Sequence, residues 1–112
     1  MLGIYSYGMP AKNTVKNYIP DSYYHIYNRG VAKKTIYHDK EDYAVFMNLL
    51  KRYLDIEPHR DKSGRAYEHL RDSIELLAFC LMPNHFHLLV YLNEPEAATK
   101  LLRGVCTAYT VY

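Results

Sequence analysis

The sequence predicts an α+β domain of the ferredoxin-like, split βαβ kind, an antiparallel sheet with its helices on one face. Three observations carry this. An aromatic, β-branched run, Tyr23-Tyr24-His25-Ile26-Tyr27-Asn28, precedes a segment of helical spacing. Two apolar runs, 74–82 and 85–92, are separated only by Pro83-Asn84. A second segment of helical spacing closes the chain. The order strand, helix, strand, strand, helix is the β-α-β-β-α beginning of the split βαβ pattern, whose sixth element is another strand.

Each element has its own reason. Residues 1–20 carry Gly3, Gly8, Pro10 and Pro20 with little periodicity and read as an irregular lead-in, leaving 21–112 as the domain. Arg29-Gly30 closes the first strand. Asp39 suits an N-cap, with Asp42 three positions on, and Tyr43, Phe46, Leu49, Leu50 and Tyr53 mark one face of a helix over 40–54. The polar stretch 55–72, with Pro58 and Gly64, is a long connection, expected to be mobile or functional. The run 74–82 is so uniformly apolar that it predicts a strand buried on both faces. Pro83-Asn84 then makes a tight hairpin with 85–92. Pro95 fits the first turn of the last helix, with Asn93 or Glu94 before it, and Ala98, Leu101, Leu102, Val105 and Tyr109 share its core face. Nothing after Tyr109 ends that helix, so the expectation is a chain cut within it, with the closing strand and a last helix missing.

Composition narrows the class without naming a function. With 112 residues the chain has room for one modest core, and 49% hydrophobic against 23% charged residues excludes a disordered chain. No apolar run reaches the ~18 to 20 residues that cross a bilayer, and the first 20 residues do not read as a secretory leader. Two cysteines without a CxxC make a reducing cytoplasm the default compartment. A net charge of +2 is compatible with nucleic acid but does not diagnose it. Thirteen tyrosines with no tryptophan offer stacking faces for bases or ordinary half-buried packing.

His85-Phe86-His87 is the constellation with clear chemical content. On a strand, residues i and i+2 point to one face about 6.6 to 7 Å apart, so two imidazoles can converge on a single cation while Phe86 faces the core. Two ligands leave positions for water or substrate oxygens. Taken alone, the three residues more readily describe two solvated or hydrogen-bonded histidines on an open sheet face. His25 shares a strand face with Tyr23 and Tyr27 and reads as packed or solvated, able to approach the pair only if its strand lies beside the hairpin. Cys80 or Cys106 could complete a zinc site, but no spacing supports one, and Cys80 reads as a core residue. Arg29, Lys33 and Lys34, with Asn28, Tyr27 and Tyr37 nearby, could hold a phosphate backbone or form a solvated loop. No Gly-rich phosphate loop, HExxH or Ser-His-Asp arrangement is present to argue from.

The longer strings carry a resemblance. Tyr24-His25-Ile26-Tyr27-Asn28-Arg29-Gly30, the Asp-Lys-Glu-Asp-Tyr helix start, and Leu81-Met82-Pro83-Asn84-His85-Phe86-His87-Leu88-Leu89-Val90 occur in order. Over about residues 20 to 112 the chain resembles the single-tyrosine transposases of the HUH nuclease superfamily, nearest the REP-associated tyrosine transposases and the small IS200-like insertion-sequence transposases.

That resemblance implies that His85 and His87 bind Mg²⁺ or Mn²⁺ and that the metal polarises a phosphodiester in single-stranded DNA beside an imperfect hairpin. A tyrosine hydroxyl attacks the phosphorus, leaving a 5′-phosphotyrosine link and a free 3′-OH, and strand transfer reverses the step. The family's nucleophilic tyrosine and third metal ligand lie on a later helix, so the nucleophile is expected beyond Tyr112, and Tyr109 and Tyr112 are weak candidates for it. The chain alone is then expected to bind metal weakly and to do no covalent chemistry. Rival readings are a DNA- or RNA-binding module derived from such a transposase, using Asn28, Arg29, Lys33 and Lys34, and a zinc-stabilised structural domain. A missing strand leaves a sheet edge open to pairing as a homodimer.

Overall fold

The computed structural model describes residues 4–5, 19–29 and 33–112. Its elements run β1 (Ile4–Tyr5), β2 (Ser22–Arg29), α1 (Lys40–Leu54), β3 (Ile74–Met82), β4 (His85–Leu92) and α2 (Ala97–Val111). The sheet order is β1-β2-β4-β3. β2, β4 and β3 form an antiparallel sheet and two helices cover one face, as the α+β, split βαβ reading expects.

β4 is central because it has partners on both sides. β2 pairs with it without interruption from Ser22↔Leu92 to Arg29↔His85, and β3 from Ile74↔Leu92 to Met82↔His85, with a bulge between Leu76 and Ala78. Alternation then divides β4 cleanly: Phe86, Leu88, Val90 and Leu92 are buried, while His85, His87, Leu89 and Tyr91 are half-exposed on the other face. The two-residue β1 lies parallel to β2 with Ile4 opposite His25, so the stretch read as an irregular lead-in contributes a short strand. Most of the remaining lead-in and Gly30 lie outside the described residues.

The expectation for β3 is corrected. It is the edge strand, not one buried on both faces, and leaves Leu77 at 44%, Phe79 at 51% and Met82 at 41% exposure. Cys80, read as a core residue, is exposed as well. An apolar run records transfer preference but not which strand of a hairpin finds a second neighbour. That was decided by β2 choosing β4.

The helices follow their local chemistry. At α1 the Asp39 carboxylate accepts from the Asp42 N–H at 2.9 Å, and Asp42 Oδ2 accepts from the His38 N–H at 2.8 Å. Phe46, Leu49, Leu50 and Leu54 face inward. α2 starts at Ala97, two residues past Pro95, and its N-cap Glu96 makes no side-chain cap bond. Asn93 instead donates Nδ2 to the Asp72 carbonyl at 2.9 Å, tying the end of β4 to the start of β3. Ala98, Leu101, Leu102 and Val105 are buried in the same core as the inward residues of β2 and β4. Fully burying each such Leu or Val contributes roughly 1.5–3 kcal/mol.

The connection 55–72 is held to the body at several points. Leu70 is buried, its N–H donates to the Tyr53 carbonyl at 2.9 Å, and the Arg52 guanidinium stands 4.0 Å over the Tyr67 ring. It enters the sheet at Ile74, the end opposite the Pro83-Asn84 turn. Among the described residues no helix is long and apolar enough to cross a membrane.

Candidate metal centre on the open sheet face

The face of the sheet away from the helices carries Tyr23, His25, Tyr27 and Arg29 from β2, His85, His87 and Tyr91 from β4, and Cys80 from β3. Strand alternation puts His85 and His87 together here, as their spacing predicts, and sends Phe86 inward against Phe46, 5.1 Å between ring centroids. The imidazoles of His85 and His87 are 5.0 Å apart and nearly perpendicular, at 85°.

The outer hydrogen bonds decide what these rings can offer. His85 Nδ1 lies 2.6 Å from Asn84 Oδ1. An amide oxygen only accepts, so Nδ1 carries the proton and His85 Nε2 keeps its lone pair. His87 Nδ1 lies 2.7 Å from His25 Nε2. Their ring planes differ by 12° with centroids 4.9 Å apart, the edge-to-edge arrangement in which a ring N–H points at a lone pair. Both histidines of the pair therefore engage Nδ1, and neither Nε2 has a hydrogen-bond partner among the described residues. Burial, followed by the neighbouring His25 and His85, holds the His87 pKa below the ordinary histidine value and favours the neutral ring that can act as a ligand.

The turn bearing Asn84 is itself anchored. The Pro83 carbonyl accepts from the N–H groups of Ile36 at 2.6 Å and Tyr37 at 3.1 Å, and the Ile36 carbonyl accepts from the Tyr109 hydroxyl at 2.7 Å. A continuous path of hydrogen bonds thus links α2 to the turn that precedes His85.

The structure brings some sequence candidates together and separates others. Arg29 sits opposite His85 in the register, and Lys33 and Lys34 are exposed. Asn28 follows the inward alternation of Tyr24 and Ile26, and its Oδ1 is buried with no hydrogen-bond partner among the described residues. Tyr109 packs among Tyr37 and Phe46 on the helix side, with its pKa pushed up to about 12, by burial first and then by Asp42 and Asp39. Tyr112 donates its hydroxyl to Asp42 Oδ1 at 2.9 Å, and that bond leads the causes raising its pKa to about 12. Neither shares a face with the histidines.

Cys106 lies on α2 beside the core, its thiol pushed up to about 12 by burial, whereas Cys80 stands opposite His87 in the register. No group of three or more His, Cys, Asp or Glu among the described residues is arranged to hold a metal ion. His85 and His87 are the candidate ligands that this face brings together.

Two participants were not assigned from sequence, His25 and Asn84. The signal for Asn84 was its adjacency to His85 in a two-residue turn; His25 needed the β2–β4 register. A scan against models of protein families, a search of curated proteins and a search of solved structures each return no match.

Proposed function

We propose that this domain is the metal- and DNA-binding part of a transposase that cleaves and rejoins single-stranded DNA through a 5′-phosphotyrosine link. One observation carries the reading: His85 and His87 stand side by side on the open face with both Nδ1 atoms engaged and, among the described residues, no partner on either Nε2. That donor set suits Mn²⁺ better than Mg²⁺, which prefers oxygen ligands. When bound, a divalent cation supplies polarisation of the scissile phosphodiester and neutralises charge on the transferring phosphoryl group.

The chain's own residues bind and orient the strand. Tyr27 lies beside His87, 5.7 Å between ring centroids at 14°, and Tyr23 and Tyr91 pack edge to face at 5.0 Å further along the sheet. Exposed parts of these rings are platforms on which unpaired bases stack. Arg29, opposite His85 in the register, and the exposed Lys33 and Lys34 that follow it in sequence supply phosphate contacts. In the covalent step a tyrosine oxygen bonds to phosphorus, the P–O3′ bond breaks, and the departing oxygen takes a proton to become the 3′-OH. Tyr109 and Tyr112 do not serve as that nucleophile, because their hydroxyls are committed on the helix side. The free thiols of Cys80 and Cys106 favour a reducing compartment such as the cytoplasm.

The test pairs Mn²⁺ titration with a covalent-adduct assay on labelled hairpin DNA. Expected are Mn²⁺ binding lost on His85→Ala with His87→Ala, hairpin binding weakened by chelation, and no label on Tyr109 or Tyr112. Unchanged Mn²⁺ affinity in the double variant defeats the metal assignment. Hairpin binding indifferent to both chelator and double variant favours the rival, a DNA- or RNA-binding module on the same aromatic face.

A further inference from the structure

We infer that His25 is a positioning residue: it fixes His87 in the tautomer whose Nε2 can bind a cation. The inference rests on the metal reading above. His25 Nε2 is 2.7 Å from His87 Nδ1, and one of these two atoms must donate while the other accepts. For His87 to offer a lone pair at Nε2, its proton must sit on Nδ1. His87 then donates to His25, and His25 accepts at Nε2 with its own proton on Nδ1. The opposite assignment places the His87 proton on Nε2 and closes that position to a ligand.

The arrangement parallels His85, where the Asn84 amide oxygen imposes the same tautomer from the turn. Two acceptors of different origin, an amide in the hairpin and an imidazole on the neighbouring strand, thereby leave the Nε2 lone pairs of two neighbouring side chains on one sheet face. Ligating histidines ordinarily have their second ring nitrogen held in this way, and loss of the partner typically costs 10–100-fold in metal affinity. The β2–β4 register is what makes the contact: His25 pairs with Leu89, which sets its side chain diagonally across from His87 on the same face. Tyr27, directly opposite His87, completes a triangle of near-parallel rings, its centroid 5.7 Å from that of His87 and 6.2 Å from that of His25.

Long-range ¹H–¹⁵N correlation spectra of the metal-free protein at neutral pH read the His87 tautomer directly, and Mn²⁺ titration by calorimetry reads affinity. The wild type is expected to show the Nδ1–H form of His87. His25→Ala should shift His87 toward the Nε2–H form and weaken Mn²⁺ binding at least tenfold, within the range for such outer partners. His25→Gln, whose amide oxygen can accept near the position of Nε2, should restore much of both. His87 found as Nε2–H in the wild type overturns the inference, as does Mn²⁺ affinity unchanged in His25→Ala. Absence of Mn²⁺ binding by the wild type, with His87 still Nδ1–H, defeats the metal reading and with it this role, leaving only the hydrogen bond.

Discussion

The Tyr109 hydroxyl donates to the Ile36 carbonyl at 2.7 Å, across 73 positions of sequence. Because the next link, Ile36 N–H to the Pro83 carbonyl, reaches the hairpin turn, Tyr109 is a strut beneath His85 rather than a reacting group above it. Tyr109→Phe is expected to lower stability by about 1 kcal/mol, the usual net worth of one such hydrogen bond. Denaturant unfolding measures it. A gain in stability would contradict the strut.

Tyr37 gives the opposite sign. It is 2% exposed, and its hydroxyl is buried without a hydrogen-bond partner among the described residues. Tyr37→Phe keeps the ring that stacks on Tyr43 at 4.6 Å and removes the unsatisfied oxygen. Since an unsatisfied buried polar group costs ~1–3 kcal/mol, the variant should be more stable by about 1 kcal/mol, read as a higher urea midpoint at unchanged slope.

The same tyrosines set a pH dependence. Burial raises Tyr37 and Tyr109, the bond to Asp42 raises Tyr112, and the latter two reach about 12. A phenol in the unfolded chain loses its proton near pH 10, so between about pH 10 and 12 the folded state binds more protons than the unfolded. Stability should be insensitive to these groups below pH 10 and fall as pH rises through that window. Urea midpoints across the range check it, and Tyr37→Phe should blunt the fall. A rise in stability above pH 10 would contradict the assignment.

Gly104 places α2 against the Tyr53 ring of α1. A Cβ built there would lie 2.6 Å from Tyr53 Cζ, too close for the ring to stay where it is. Gly104→Ala gains about 1 kcal/mol of helix propensity but loses ~1–3 kcal/mol by overpacking, so a net loss is expected. In a Tyr53→Leu background the ring is gone, and the same substitution should become neutral or stabilising. A double-mutant cycle by thermal unfolding reads the difference.

The basic residues near the histidine end make a prediction in salt. Neutralising Arg29, Lys33 and Lys34 together should weaken hairpin binding and flatten the dependence of log K on log salt by about 0.7 for each phosphate contact removed. An unchanged slope would place the phosphate contacts elsewhere on the sheet.

By itself the sequence determined the two helices, the hairpin and the two faces of β4. The 3.6-residue spacing of Tyr43, Phe46, Leu49, Leu50 and Tyr53, the cap at Asp39, the two-residue Pro83-Asn84 turn and the alternation through His85-Phe86-His87 are local properties, and each stands in the structure where its local chemistry puts it. What only the tertiary structure decided is which strands became neighbours. Hydrophobicity could not say that β4 would be central and β3 an edge with Phe79 half-exposed, because burial of a strand depends on partners far along the chain. His25 reads alone as a packed or solvated histidine 62 positions from His87, and only antiparallel pairing of β2 with β4 sets its Nε2 2.7 Å from His87 Nδ1. Spacing already puts Tyr109 on the core face of its helix, but only packing names the hydroxyl partners, the Ile36 carbonyl for Tyr109 and Asp42 for Tyr112. Periodicity is written residue by residue, whereas the hydrogen-bond partner of a side chain is fixed by register and packing between segments that sequence order keeps apart.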